Sequence, residues 1–119
     1  MTELRHAWLV DPFARTVTHV TLHSAVSSPE ELHEIYALLD CTTIEAVNPV
    51  NAGGDLLFVD EDGKYRKPSE QAFFLCRLWP HEPLTGRALW VGRNDEGDIA
   101  SPVSALDYVR AHIVWASKV

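Results

Sequence analysis

Apolar and polar positions follow two periods along this chain, and the period changes at recognisable stops. Ala7-Trp8-Leu9-Val10 is a short apolar run ended by Asp11-Pro12. Asp before Pro favours a turn, because the proline ring disfavours helix at the preceding residue. Thr16 to Leu22 then alternates, with Thr18, Val20 and Leu22 on one face, and is rich in the β-branched residues that suit strands. The two runs predict an opening hairpin, with His19 facing solvent. At Ser28-Pro29-Glu30-Glu31 the spacing becomes helical. Ser28 is placed to cap free amides, Pro29 suits the first helical position, and Glu31 completes a capping box. Leu32, Ile35, Tyr36 and Leu39 fall on one face, which predicts a helix over 29–39 covering a sheet.

Strand spacing returns in Thr42 to Val47 and stops at Asn48-Pro49, and Asn51 to Gly54 reads as a flexible turn. Asp55-Leu56-Leu57-Phe58-Val59 runs into the acidic turn Asp60-Glu61-Asp62-Gly63 and a basic, aromatic return at Lys64-Tyr65. That order predicts a central hairpin. It recurs where Ala88 to Gly92 leads through Arg93-Asn94-Asp95-Glu96-Gly97-Asp98 to Ile99. Between the two units, Lys67 to Gln71 breaks the strand pattern, and Phe74 to Trp79 fits either a helix end or a strand. Pro80 and Pro83 bracket an expected loop. Ser101-Pro102 repeats the earlier helix start, and Leu106, Val109 and Ile113 fit a closing helix. The pattern predicts one α+β domain over residues 1–119. Its mostly antiparallel sheet would have about five strands, with two or three helices on one face.

Charge narrows the partners. There are 17 acidic against 10 basic residues, a formal net charge of -7. A protein that binds nucleic acid through its phosphates needs clustered Lys and Arg, so direct nucleic-acid binding is not expected. Solubility, a basic protein partner and imitation of nucleic-acid charge all remain open. Cys41 and Cys76 sit in apolar sequence and read as buried reduced thiols, which suits a cytoplasmic protein. No signal peptide and no membrane-spanning run is evident.

Candidate chemistry is thin. Both acidic turns resemble fragments of a calcium loop, but the closing position is Gln71 counted from Asp60 and Ala105 counted from Asn94. Neither residue is the bidentate Glu such a loop requires, so no metal is expected. No zinc, nucleophile-elbow, dinucleotide or phosphate-loop motif occurs, and no cofactor or catalytic residue is predicted. Four tryptophans are many for 119 residues. Trp79, beside the prolines, is the one expected to be exposed, with Trp8, Trp90 and Trp115 in the core.

The order of elements carries a resemblance. Ile44-Glu45-Ala46-Val47, Leu57-Phe58-Val59-Asp60-Glu61-Asp62-Gly63-Lys64, then Pro68 and Ala72, then Gly86-Arg87-Ala88-Leu89-Trp90-Val91-Gly92 and a closing helix follow one another. From about Trp8 to Ile113 this resembles a family of small proteins of unknown function carried by phages, plasmids and other mobile elements, domain-of-unknown-function family 3846. Members often carry an Asn after the proline, where this chain has Ser69-Glu70-Gln71. The resemblance implies an accessory protein of a mobile element in the cytoplasm of a bacterial host, and supplies no catalytic residues. The expectation is therefore a non-enzymatic protein that binds a host or defence macromolecule. The alternative is a small-ligand protein that sequesters a nucleotide signal. The candidate binding residues are Trp79, Arg77, Arg87, Arg93, Asp60 and Asp62.

Overall fold

A computed structural model of the protein describes residues 4–116. The chain runs β1 (Arg5–Asp11), β2 (Thr16–Leu22), α1 (Pro29–Leu39), β3 (Ile44–Val47), β4 (Leu56–Asp60), β5 (Phe73–Cys76), β6 (Trp79–Thr85), β7 (Ala88–Arg93), β8 (Ile99–Ala100), α2 (Leu106–Ala111) and β9 (Ile113–Ala116). Two 3-10 turns, Gly63–Tyr65 and Pro68–Glu70, lie between β4 and β5. Six strands form one sheet in the order β2-β1-β7-β4-β3, with β8 paired to β7, and three form a second in the order β6-β5-β9. The described strand pairs are antiparallel. The class is α+β as expected, but the strands number nine among the described residues and make two sheets, not one of about five.

The helices do not share a face. Trp8 lies opposite Trp90, and Leu9 opposite Leu89, so alternate residues of β1 and β7 face opposite ways. Trp8, Val10, Leu57, Val59 and Trp90 pack with Phe74 and Leu84 of the second sheet and with Val109 of α2. Ala7, Leu56, Leu89 and Val91 pack instead with Ile35 and Leu39 of α1. A one-sided sheet needs strands that alternate apolar with polar. Leu56 to Val59 and Ala88 to Val91 are apolar at every position and require cover on both faces.

Local signals performed well where the partners are close in sequence. β1 and β2 pair from Arg5↔Leu22 to Asp11↔Thr16, with Asp11 Oδ1 accepting from the Phe13 and Ala14 amides to close the turn. Helix α1 spans Pro29–Leu39, and the Ser28 side chain accepts from the Glu31 amide at 3.3 Å. The reciprocal half of the capping box is absent. The Ser28 amide donates to the Ala25 carbonyl at 3.2 Å instead, and Glu31 Oε2 accepts from Arg5 Nη1 at 2.6 Å and from the Ser27 amide at 3.4 Å. Leu32 is exposed, leaving Ile35 and Leu39 as the buried stripe of the helix.

Four expectations fail, each through a distant partner. The return strand after Gly63 does not exist: β4 pairs with β3 and β7, and the chain beyond Asp60 turns into 3-10 geometry. The Pro80–Pro83 stretch is part of β6, an outer strand in which Trp79, Leu84 and Thr85 pair with β5 while Pro80 and Pro83 do not. Outer strands tolerate proline because its missing donor can face away from the neighbour. Trp79 is consequently half-buried against the core. The closing helix is six residues long and lacks a side-chain cap, and Ile113 and Trp115 lie in β9 against β5. Ser101 is diverted from capping, its Oγ accepting from the His6 amide at 3.0 Å. Buried Asp55 explains the late helix start. Its carboxylate accepts from Trp90 Nε1, the Val103 amide and the Ser104 amide, each at 2.9 Å, and holds 101–105 as a bent strap outside the helix.

Candidate functional site

Stacking a three-strand sheet on a six-strand sheet leaves a step along each side. On the side of β3, β4 and β6 the step is a groove of about 450 Å³. Val59, Phe73 and Leu84 supply an apolar floor, and Glu45, Glu61 and Glu82 stand on the rim, all three solvent-facing. Among the described residues Lys64 is the single base lining it, and its ammonium lies 5.8 Å from the Tyr65 ring centroid. Tyr65 is 78% exposed beside this groove, a large aromatic with no cover of its own.

The walls are held by close packing. Gly63 is buried where a Cβ would stand 2.9 Å from the Thr85 carbonyl oxygen, so the 3-10 turn lies directly on the end of β6. Gln71 Nε2 donates to the Gly63 carbonyl at 3.1 Å, and the Gly86 amide donates to Ala72 at 2.8 Å. The first bond ties the connection after β4 to itself and the second extends the β5–β6 ladder, so it is the packing of Gly63 on Thr85 that sets the connection against the end of β6.

Of the predicted residues, Asp60 lines this groove, yet its carboxylate is already occupied. Oδ2 accepts from Arg66 Nε at 2.6 Å and Oδ1 from the Asp62 amide at 3.0 Å. The Asp60 bond pushes the Arg66 guanidinium above its ordinary pKa. Asp62 is exposed and accepts from the Thr43 hydroxyl at 3.0 Å. Arg87 shares an adjoining cavity with Asp60, Asp40 and Arg66, and its own charge is matched by Asp11 at 3.3 Å and Asp40 at 3.9 Å. Arg93 is at the far end of β7, about 20 Å along the strand from Arg87, and donates to Asn48 at 3.5 Å. Arg77 occupies the exposed turn between β5 and β6, and Trp79 meets the His81 ring edge-on at 5.0 Å. Trp79, Arg87 and Arg93 thus have three separate sets of partners, Arg77 lines none of the cavities described, and the four do not converge on one ligand.

No activated group accompanies the groove. Burial pushes the Cys41 thiol up, assisted by the Asp60 charge, and burial pushes the Cys76 thiol up too. Both cysteines are free and buried. His6 and His19 stack at 5.2 Å beside Trp8, and burial followed by the His19 charge lowers the His6 pKa. Among the described residues no group of three or more His, Cys, Asp or Glu is placed to hold a metal ion. Among them, too, no helix is long and apolar enough to cross a membrane.

The residues missed by sequence reasoning are Glu45, Glu61 and Glu82, which come from three segments and read individually as solvated acids. The only advance signal was Glu82 beside Trp79 and the prolines, and it was assigned to a loop. No curated protein and no solved structure matches the chain. A family model does match, over residues 5–112, which is most of the sequence. That span runs from the start of β1 past the end of α2 and includes every groove residue named above, so the chain belongs to the family described as Domain of unknown function (DUF3846).

Proposed function

We propose that this is a non-enzymatic binding protein whose groove between β4 and β6 receives a basic, partly apolar segment of another protein. The observation that carries the reading is the charge arrangement: an apolar floor ringed by Glu45, Glu61 and Glu82 against one lysine among the described residues. Val59 and Leu84 are already buried, so affinity would come from covering half-buried Phe73 and exposed Pro68 and Pro83, at roughly 25 cal/mol per Å² of apolar surface removed from water. The rim would contribute mainly to encounter rate and choice of partner, since exposed charges steer more than they hold. The two buried thiols of raised pKa supply no nucleophile, which favours binding over catalysis. The setting implied by family resemblance makes a host or defence protein in a bacterial cytoplasm the natural source of such a segment.

The test is fluorescence anisotropy with labelled apolar peptides that carry either Lys and Arg or Asp and Glu. The basic peptide should bind, and Glu61→Lys combined with Glu82→Lys should weaken it roughly tenfold at low salt, with less effect in high salt. Equal binding of acidic and basic peptides, or no loss in the double variant, would remove this reading.

A further inference from the structure

The opposite step, between β2 and β9, holds a pocket of about 310 Å³ with the reverse chemistry. Arg15, Arg110 and Trp115 line it, together with the Thr16–Thr18 edge of β2, and among the described residues no carboxylate does. In a chain with 17 acids against 10 bases, two arginines and an indole without an acid are a marked local inversion.

Both cations are available. Among the described residues no carboxylate lies within ion-pair distance of Arg15 or Arg110. Asp11, the acid nearest Arg15 in sequence, is committed to the turn amides and to Arg87. Arg110 donates through Nε and Nη2 to the Val17 carbonyl, at 3.2 and 2.8 Å. That contact fixes the guanidinium plane and leaves Nη1 for a ligand. Because the Val17 carbonyl turns away from β1, its amide turns outward as well, adding a backbone donor on the same edge. Arg15 has φ of +56°, a left-handed conformation that Gly or Asn adopts with less strain. A long cation at such a position is consistent with use rather than with turn formation. Trp115 is half-buried, packed on the core while lining the pocket, so its indole is held in place without being covered.

We infer that this pocket binds a free nucleoside monophosphate or a planar anion of the same size, its ring against Trp115 and its phosphate between Arg15 and Arg110. Guanidinium forks match phosphate oxygens, and an indole face accepts any base. The volume is at the lower end for ligand sites, which fits one nucleotide and not two. A strand is disfavoured because its further phosphates would run onto the acidic remainder of the surface. The inference does not rest on the groove reading.

Calorimetric titration of the whole chain at low salt tests it, with AMP, UMP, adenosine, inorganic phosphate and a short single-stranded oligonucleotide as probes. One-site binding of a mononucleotide is expected, with adenosine and phosphate each weaker by roughly tenfold or more. Arg15→Gln should lose roughly tenfold in AMP affinity with an unchanged melting temperature, since Arg15 is an exposed turn residue. Trp115→Phe should bind AMP less tightly in the same titration. The groove double variant should bind AMP as the wild type does, which keeps the two sites separable. The inference is overturned if neither AMP nor UMP binds below about 1 mM. Undiminished affinity in Arg15→Gln, phosphate binding as tight as AMP, or an oligonucleotide binding more tightly than AMP would each overturn it as well.

Discussion

The two acidic turns are nearly alike in sequence and opposite in structure. Asn94 to Asp98 is a hairpin loop joining β7 to β8. Asn94 Oδ1 accepts from the Glu96 and Asp98 amides at 2.9 Å, and Gly97, at φ +85°, has open space around its Cβ position. Asp60 to Gly63 joins no hairpin. Asp60 is buried under Arg66, and Gly63 has no positive φ but lies against Thr85. One glycine is needed for its backbone conformation, the other for its lack of volume. A glycine closing an acidic run therefore does not specify a hairpin; what the next segment pairs with decides.

Side-chain substitutions at the two glycines should separate these roles. Gly63→Ala is expected to cost the most, about 3 kcal/mol, because its Cβ would press on backbone that cannot swing away. Gly63→Asn should be no better. Gly97→Ala should cost about 1–2 kcal/mol from left-handed strain, and Gly97→Asn clearly less, since Asn tolerates that region. Thermal or urea unfolding measures all four. If Asn rescues position 63 but not position 97, the assignment of roles is reversed.

The carboxylates extend the contrast at smaller magnitude. Asp60→Asn should destabilise by about 1 kcal/mol, a value discounted because the Arg66 side chain is 37% exposed and can reach water. Asp98→Asn, whose exposed oxygen accepts from the Ser27 hydroxyl, should stay within about 0.5 kcal/mol. Equal losses in urea unfolding would mean that burial of Asp60 carries no weight.

The smallest effect should be chemical. Cys41 lies near Asp60, and burial and that negative charge both disfavour its thiolate. Native protein should react slowly with iodoacetamide, and Asp60→Asn should speed labelling of Cys41 while leaving Cys76 unchanged. Peptide mapping after timed alkylation reads both. A slower Cys41 in the variant would show that the carboxylate does not govern the thiol.

These contrasts explain what was legible in the sequence. Ser28-Pro29 fixed the start of α1, and Asp11-Pro12 and Asn94 to Gly97 marked true turns, because each signal acts over a few residues. The strand partners of β4, the conversion of Ile113 to Trp115 into β9, and the membership of Pro80 and Pro83 in β6 depend on segments tens of residues away. No local period encodes them. The candidate sites suffer the same limit. Glu45, Glu61 and Glu82 are brought together only by stacking the sheets, as are Arg15, Arg110 and Trp115. The small-ligand reading needs Arg77, Arg87, Arg93 and Trp79 to converge on one pocket, and the fold distributes them along different edges.

The prolines of β6 have a further consequence for how the molecule behaves in a crowded solution. An outer strand with a complete row of amide donors is a template onto which another chain can add, and repeated addition yields fibrils. Pro80 and Pro83 remove two donors from a seven-residue strand. Because they are three residues apart, regular strand geometry puts one of them on the outward row, where an incoming strand meets a gap in its ladder, so the sheet is blunted against edge-to-edge addition on the side where β6 meets solvent.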